Sequence, residues 1–312
     1  FYHFEGNAQA LRLVTKLHYL VDEYGMNLTY ALLNTIVKYP IPSDKINRQS
    51  GNIKDKKMGY YYADREVFEE ISKATGTGNR RHPLTYILEA ADDLAYKTAD
   101  IEDAFVKGFV SYHALEKELS VLQGRGADGR FDAAGKLHEL YERGRKKQPQ
   151  NPESYAVKNW IVRVQGFLIS CATYGFTSHY EEIMEGSFCQ DLFYGTWGEE
   201  LMELLGDIAF RYVFSSKAIY KMEVSEAVIL DFLMDKLVHA VLYYDTEEKP
   251  DSIDSRVISF ISDNYKNAYK LQAEGKTEEE KLYLRLLLVT DYVCGMTDSY
   301  AKRLYQEMNG II

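Results

Sequence analysis

Apolar residues recur along this chain at three- and four-residue steps in stretch after stretch, and no segment shows the two-residue alternation of a strand. The pattern predicts an all-α protein. Residues 7 to 25 read as a first helix, with Leu11, Val14, Leu17, Leu20 and Val21 on one face and Gly25 near its end. Asn27 to Tyr39 reads as a second, stopped by Pro40, with Lys38 and Tyr39 in its last turn. Ile41 to Tyr62 has no clear period and reads as a solvated, mobile loop carrying Lys54, Lys56 and Lys57 ahead of Gly59. A helix capped by Asp64 runs through Ile71, and Gly76 to Asn79 is the turn into the helix that begins at Pro83. Helical pattern then continues past Asp103 to about Leu122, with a loop over Gly124 to Gly129 and another amphipathic helix from Phe131 to Arg145. The basic, proline-bearing stretch Arg143 to Pro152 is the expected boundary, dividing the chain into residues 1–147 and 148–312. Beyond it lie a long helix, Glu153 to Ile183, with Trp160, Val164, Phe167, Leu168 and Cys171 inward, and two helices within Ser187 to Tyr244. Asp254 to Ala273 and Thr277 to Gly310 complete the pattern.

The helix starting at Pro83 organises the rest. Proline suits the first helical position, where its missing N–H costs nothing, and about five turns of good helix formers follow. Asp92, Tyr96 and Asp100 stand at i, i+4 and i+8, so two carboxylates and a phenol share a stripe flanked by Glu89 and Asp93. The opposite arc carries Ile87, Leu88, Ala91, Leu94, Ala95 and Thr98. Periodicity alone favours a wet acidic face on an amphipathic helix. Three polar groups on one rigid rod can also hold a metal and a sugar.

Composition narrows the class. With 46% hydrophobic and 27% charged residues in 312, the chain is an ordinary globule able to bury a large core. No run approaches the roughly 18 to 20 apolar residues that cross a bilayer, and no secretory leader opens the sequence, so a cytoplasmic protein without a membrane partner is expected. Cys171, Cys189 and Cys294 are too few and scattered for a disulfide framework and read as reduced, mostly buried thiols. A net charge of −10 argues against indiscriminate nucleic-acid binding. From Lys38 to Arg81, however, ten basic residues face six acids, a local surplus that fits a small polyphosphate. None of the seven histidines is followed by aspartate.

Three ordered blocks carry a resemblance. Phe4-Glu5-Gly6-Asn7-Ala8-Gln9-Ala10-Leu11-Arg12 comes first; Arg81-His82-Pro83-Leu84, Glu89-Ala90-Ala91-Asp92-Asp93 and Asp100-Ile101-Glu102-Asp103-Ala104 follow; Thr290-Asp291-Tyr292-Val293-Cys294-Gly295-Met296-Thr297-Asp298-Ser299-Tyr300-Ala301 closes the chain. Together they resemble the HD-domain deoxynucleoside triphosphate triphosphohydrolases, the dGTPase-like family. The resemblance implies an HD-domain-like helical fold with a C-terminal helical lobe, and an enzyme that hydrolyses dGTP or several deoxynucleoside triphosphates to the deoxynucleoside and inorganic triphosphate. It implies a divalent cofactor, Mn²⁺ or Mg²⁺ or another transition ion, in a His, His-Asp, Asp site whose ion acidifies the attacking water.

Asp92 would then be the last metal ligand, preferred over Asp93 because it shares a stripe with Tyr96 and Asp100. The other ligands and the proton-handling histidines are expected upstream of Phe1, so no catalytic residue is assigned within this chain. By the same resemblance Asn7 donates to a substrate phosphate, Lys38 and Lys57 bind phosphate, Tyr39 neighbours them and Arg163 approaches the triphosphate. Tyr96 packs on the sugar and excludes a 2′-hydroxyl; Asp100 accepts from the 3′-hydroxyl. Without the family, each has an ordinary reading: Asn7 as a helix cap, Lys38 beside a helix dipole, Arg163 in a surface ion pair. Family members are commonly homo-oligomers, often hexamers, and some take single-stranded DNA as an effector. Two alternatives fit the same residues: another HD phosphohydrolase acting on a different nucleotide phosphoester, and an inactive nucleotide-binding scaffold.

Overall fold

A computed structural model describes residues 3–18, 25–122 and 131–311, so Leu20, Val21 and the loop expected at Gly124 to Gly129 lie outside the described residues. Every regular element among the described residues is helical, as the sequence pattern predicts. No described helix is long and apolar enough to cross a membrane.

The chain begins with α1, Gly6–Arg12, which widens into a π-type turn over Leu13–Leu17. Next come α2, Tyr30–Ile36, and α3, Arg65–Thr75, closed by Gly76 at φ +74°, a left-handed position that suits glycine. There follow α4, Pro83–Val106; α5, Tyr112–Leu119; α6, Ala133–Lys147; α7, Pro152–Ser178; α8, Tyr180–Glu185; and α9, Glu199–Ala209. The last five are α10, Lys217–Val241; α11, Ser252–Phe260; α12, Asp263–Ala273; α13, Glu278–Cys294; and α14, Asp298–Met308. Their starts follow local chemistry. Thr277 and Glu280 form a reciprocal capping box on α13, Thr297 caps α14, and the His82 ring nitrogen accepts from the Leu84 N–H ahead of Pro83. Burial lowers the pKa of His82, favouring the neutral ring that this acceptor role requires.

Two compact units emerge, each discontinuous in sequence. The first comprises Phe1–Asn47, Lys57–Asn79 and Lys221–Ile312; the second comprises Arg48–Lys56 and Arg80–Tyr220. The division expected after residue 147 falls inside the second unit. There residues 148–151 are the turn joining α6 to α7, two helices that pack along each other.

In the second unit α4 packs on α7 and α9 around a core that includes Tyr86, Leu94, Ile101, Trp160, Leu168 and Leu205. The buried face of α4 differs from the expected arc. Tyr86, Ala90, Leu94, Thr98 and Ile101 are buried, whereas Ile87, Leu88, Ala91 and Ala95 are exposed. Small and apolar residues occupy more than one side of this helix, and its neighbours select the side. The Tyr86 hydroxyl donates to the Phe188 carbonyl at 2.7 Å, its ring lies under the Arg81 guanidinium, and Gln165 of α7 donates to the Thr98 hydroxyl at 2.9 Å.

The first unit encloses the least expected feature. Arg12, 2% exposed, donates through Nε and Nη2 to both carboxylate oxygens of Asp291 at 2.7–2.9 Å, and through Nη1 to Asp64 at 3.2 Å and Gln272 at 3.0 Å. Gln9 adds a bond to Asp291, and Lys16 pairs with Asp64 at 3.1 Å. Asp64 therefore does not cap α3 with its side chain, as the sequence suggests, but is drawn wholly inside this cluster. Burial alone would lower the guanidinium pKa; Asp64 and Asp291 more than offset that and raise it, so Arg12 stays charged. Two cations face two carboxylates, and the fork geometry of arginine satisfies both oxygens of one partner.

Removing one partner from such a cluster strands a buried charge. Asp291→Ala should cost about 3–5 kcal/mol. Urea melts of the chain measure this, and a loss below about 1 kcal/mol would remove the cluster from its structural role.

Candidate functional site

Of the residues expected from sequence around the phosphates, Asn7, Lys38, Tyr39 and Lys57 lie in the first unit and Arg163 in the second; Asn7, Tyr39 and Lys57 are linked through Glu5. Glu5 stands at the N-cap of α1 and is buried. Its Oε1 accepts from the Asn7 side-chain amide at 2.6 Å and, more loosely, from the Asn7 backbone N–H at 3.4 Å. Its Oε2 pairs with Lys57 Nζ at 3.0 Å. That ammonium also lies over the Tyr39 ring, 5.8 Å from its centre. One buried carboxylate thus gathers Asn7 and Lys57, 50 positions apart, beside Tyr39. Asn7 is not the helix cap that its residue type suggests; Glu5 is.

Sequence reasoning places Lys57 on a mobile loop, and the structure anchors that loop. Gly59 donates its N–H to the Ile41 carbonyl at 3.0 Å, and a Cβ built on Gly59 would lie 1.9 Å from the Tyr39 carbonyl oxygen. Only glycine permits this approach, which presses the segment carrying Lys57 against the one carrying Tyr39. Lys38, half-buried, sits beyond α2 rather than in its last turn. Val37 has already left helical geometry, in keeping with the bias of Tyr39, ahead of Pro40, toward extended backbone.

In the second unit Asp92 and Tyr96 are exposed on α4, Tyr96 by 62%, and Asp100 is half-buried. Burial first, and Asp103 next, raise the Asp100 carboxyl above its ordinary pKa. Glu89, the flanking acid one turn before Asp92 and Asp93, is engaged by the buried Arg81 at 2.6 Å and is not available as a further ligand. Among the described residues no three His, Cys, Asp or Glu side chains are grouped to hold a metal ion, so these residues alone do not fit a complete metal site. Arg163 is exposed on α7. Its charge is the last of several influences lowering the Glu139 carboxyl, the hydrogen bond from Lys136 being the largest.

A cavity of about 910 Å³ also opens in the first unit, with Met58, Tyr60 and Leu287 in its wall and Asp44, Arg65 and Asp298 among its exposed lining residues. None of the residues assigned to phosphate, sugar or metal lines it, although Phe4 of the first resembling block and Thr290, Cys294 and Asp298 of the last do. The three cysteines are free: Cys171 is buried, Cys189 partly so, and Cys294 exposed as a residue, although desolvation of its sulfur and then Asp291 push the thiol up to about 11.

Comparison with known proteins bears on these residues. Residues 198–307 match a phosphohydrolase-associated domain. The whole chain aligns at 44% identity with a deoxyguanosinetriphosphate triphosphohydrolase-like protein of Listeria monocytogenes, covering 66% of that protein. It is 30% identical over 98% of its length to a deoxyguanosinetriphosphate triphosphohydrolase of Yersinia enterocolitica, covering 63% of it, and 28% identical throughout to a triphosphohydrolase-like protein of Synechocystis, covering 66%. The chain spans slightly less than two thirds of the length of these relatives. By these matches it belongs to the deoxyguanosinetriphosphate triphosphohydrolase-like family.

The tight approach at Gly59 yields a test. Gly59→Ala should destabilise the chain by about 1–3 kcal/mol, because the contact is with backbone that cannot rotate away. It should also weaken binding of inorganic tripolyphosphate. Denaturant melts and calorimetric titration read the two effects, and an alanine variant with unchanged stability would contradict the geometry.

Proposed function

We propose that this chain supplies the substrate-binding part of an enzyme that cleaves deoxynucleoside triphosphates, dGTP or several of them, into a deoxynucleoside and inorganic triphosphate. The observation that carries the proposal is the convergence of Asn7 and Lys57 on one carboxylate within the first unit, with Tyr39 under the Lys57 ammonium. A side-chain amide and an ammonium held side by side are donors suited to phosphate oxygens. Lys38, nearby in sequence, adds a second point charge, and Arg163 is a further cation of the proposal. In the second unit, the i, i+4, i+8 series on α4 gives Asp92 to a metal, Tyr96 to the sugar face and Asp100 to the 3′-hydroxyl. Exposed Leu84, Leu88 and a run of alanines accompany Asp92 and Tyr96, the composition of a face that takes a partner surface.

Mn²⁺ or Mg²⁺ belongs to the proposal as the ion that Asp92 would ligate, with its remaining ligands in the part of the relatives' length that this chain does not span. What this chain contributes is positioning and charge: neutralised phosphate oxygens, an aromatic wall against the sugar, and an acceptor for its 3′ edge. A homo-oligomer and a single-stranded DNA effector are part of the same proposal.

Incubating a protein that joins this chain to the part of the relatives' length it does not span with each deoxynucleoside triphosphate and Mn²⁺, and following tripolyphosphate release, tests it. Asp92→Ala should lower metal-dependent turnover by more than the roughly 10- to 100-fold that loss of an outer-shell partner costs. Tyr96→Ala should admit ribonucleotides while metal dependence persists. Release of pyrophosphate or monophosphate in place of tripolyphosphate, or an Asp92→Ala protein with normal turnover, would contradict the proposal.

A further inference from the structure

Glu5 is an odd choice for the position it holds. Helices favour Ser, Thr, Asp or Asn at the N-cap, whose short side chains reach back to the backbone, and glutamate is not among them. Its bond to the backbone is correspondingly long, 3.4 Å, while its short bonds go elsewhere: 2.6 Å to the Asn7 amide and 3.0 Å to the Lys57 ammonium. The carboxylate is 8% exposed, whereas the Lys57 side chain is half exposed, so the lysine reaches in to the acid. Its two oxygens divide the work, Oε1 taking Asn7 and Oε2 taking Lys57, much as two oxygens of one phosphate group would. The anchoring of Gly59 against Tyr39 keeps Lys57 within reach of this one anion.

We infer that Glu5 is a built-in stand-in for substrate phosphate, gathering Asn7 and Lys57 when no nucleotide is bound and competing with the incoming triphosphate for the same donors. The inference rests on the phosphate-binding reading of Asn7 and Lys57 given above and adds a residue that sets affinity. An internal anion holds the donors together in the empty site, and the ligand must displace it to reach them. It also screens Lys57 from anions that cannot displace it, so a monophosphate gains little where a polyphosphate, able to reach further cations, gains more. Glu5 is thus a positioning and specificity residue rather than a catalytic one.

Calorimetric titration of the protein with inorganic tripolyphosphate tests this without relying on turnover. Glu5→Gln keeps the shape and the Asn7 bond but removes the charge. It should tighten tripolyphosphate about fivefold, the scale of a half-exposed ion pair. Glu5→Ser, which restores a favoured cap and guards against a failure of α1 to form, should tighten it likewise. In a Lys57→Ala background neither substitution should produce a gain. Weaker binding in Glu5→Gln and Glu5→Ser, or a gain that persists without Lys57, would overturn the inference while leaving the phosphate site in place. Absence of tripolyphosphate binding by the parent and both variants would instead overturn the phosphate-site reading itself, and the inference with it.

Discussion

A guanidinium with almost no access to water, held between two carboxylates from distant parts of the sequence, is the constraint on which the first unit depends. Arg12 closes α1, Asp64 opens α3, and Asp291 sits in α13. No apolar contact between these segments would fix their rotation as tightly, because the planar fork of arginine meets both oxygens of Asp291 in one orientation only. Moving charges out of water is expensive, and the arrangement endures because each charge faces an opposite one: Lys16 joins Arg12 on Asp64, and Gln9 and Gln272 add bonds to Asp291 and Arg12, while Asp64 Oδ2 stays without a hydrogen-bond partner among the described residues.

The same pin sets the chemistry. Asn7 and Glu5 are one to two turns before Arg12 on the helix it anchors, so the carboxylate that gathers Lys57 inherits its position from a buried ion cluster. On the opposite side, the glycine contact at Tyr39 fixes where Lys57 can be. Three of the residues involved in this geometry, Glu5, Asn7 and Arg12, belong to the first resembling block, and Asp291 belongs to the last. The first and last of the blocks that carry the resemblance are thus joined by contacts in this unit.

Much of this architecture is legible in residue order. The all-helical class follows from periodicity, and α4, Pro83–Val106, starts where expected because proline and a run of helix formers mark it locally, although the helical pattern read on to about Leu122 is broken between Val106 and Tyr112. What sequence could not show is whatever depends on neighbours. Tyr86 and Ile101 are buried, and Ile87 and Leu88 are not, because α7 and α9 choose the face. Glu5 escapes notice since its partner is Lys57, across a stretch without period. The paired compact units are hidden for a related reason: residues 221–312 rejoin residues 1–47 through long-range contacts such as Arg12 to Asp291, whereas a basic stretch with a proline looks like a boundary and is only a turn.

The Arg12 cluster positions α1 and, through it, the Glu5, Asn7 and Lys57 group. Amide hydrogen exchange on an Asp291→Asn variant tests this most directly, since it reads each segment separately. Protection should fall together in α1 and at the Gly59 amide, while α4 of the second unit keeps its protection. Unchanged protection of α1 in that variant would contradict it.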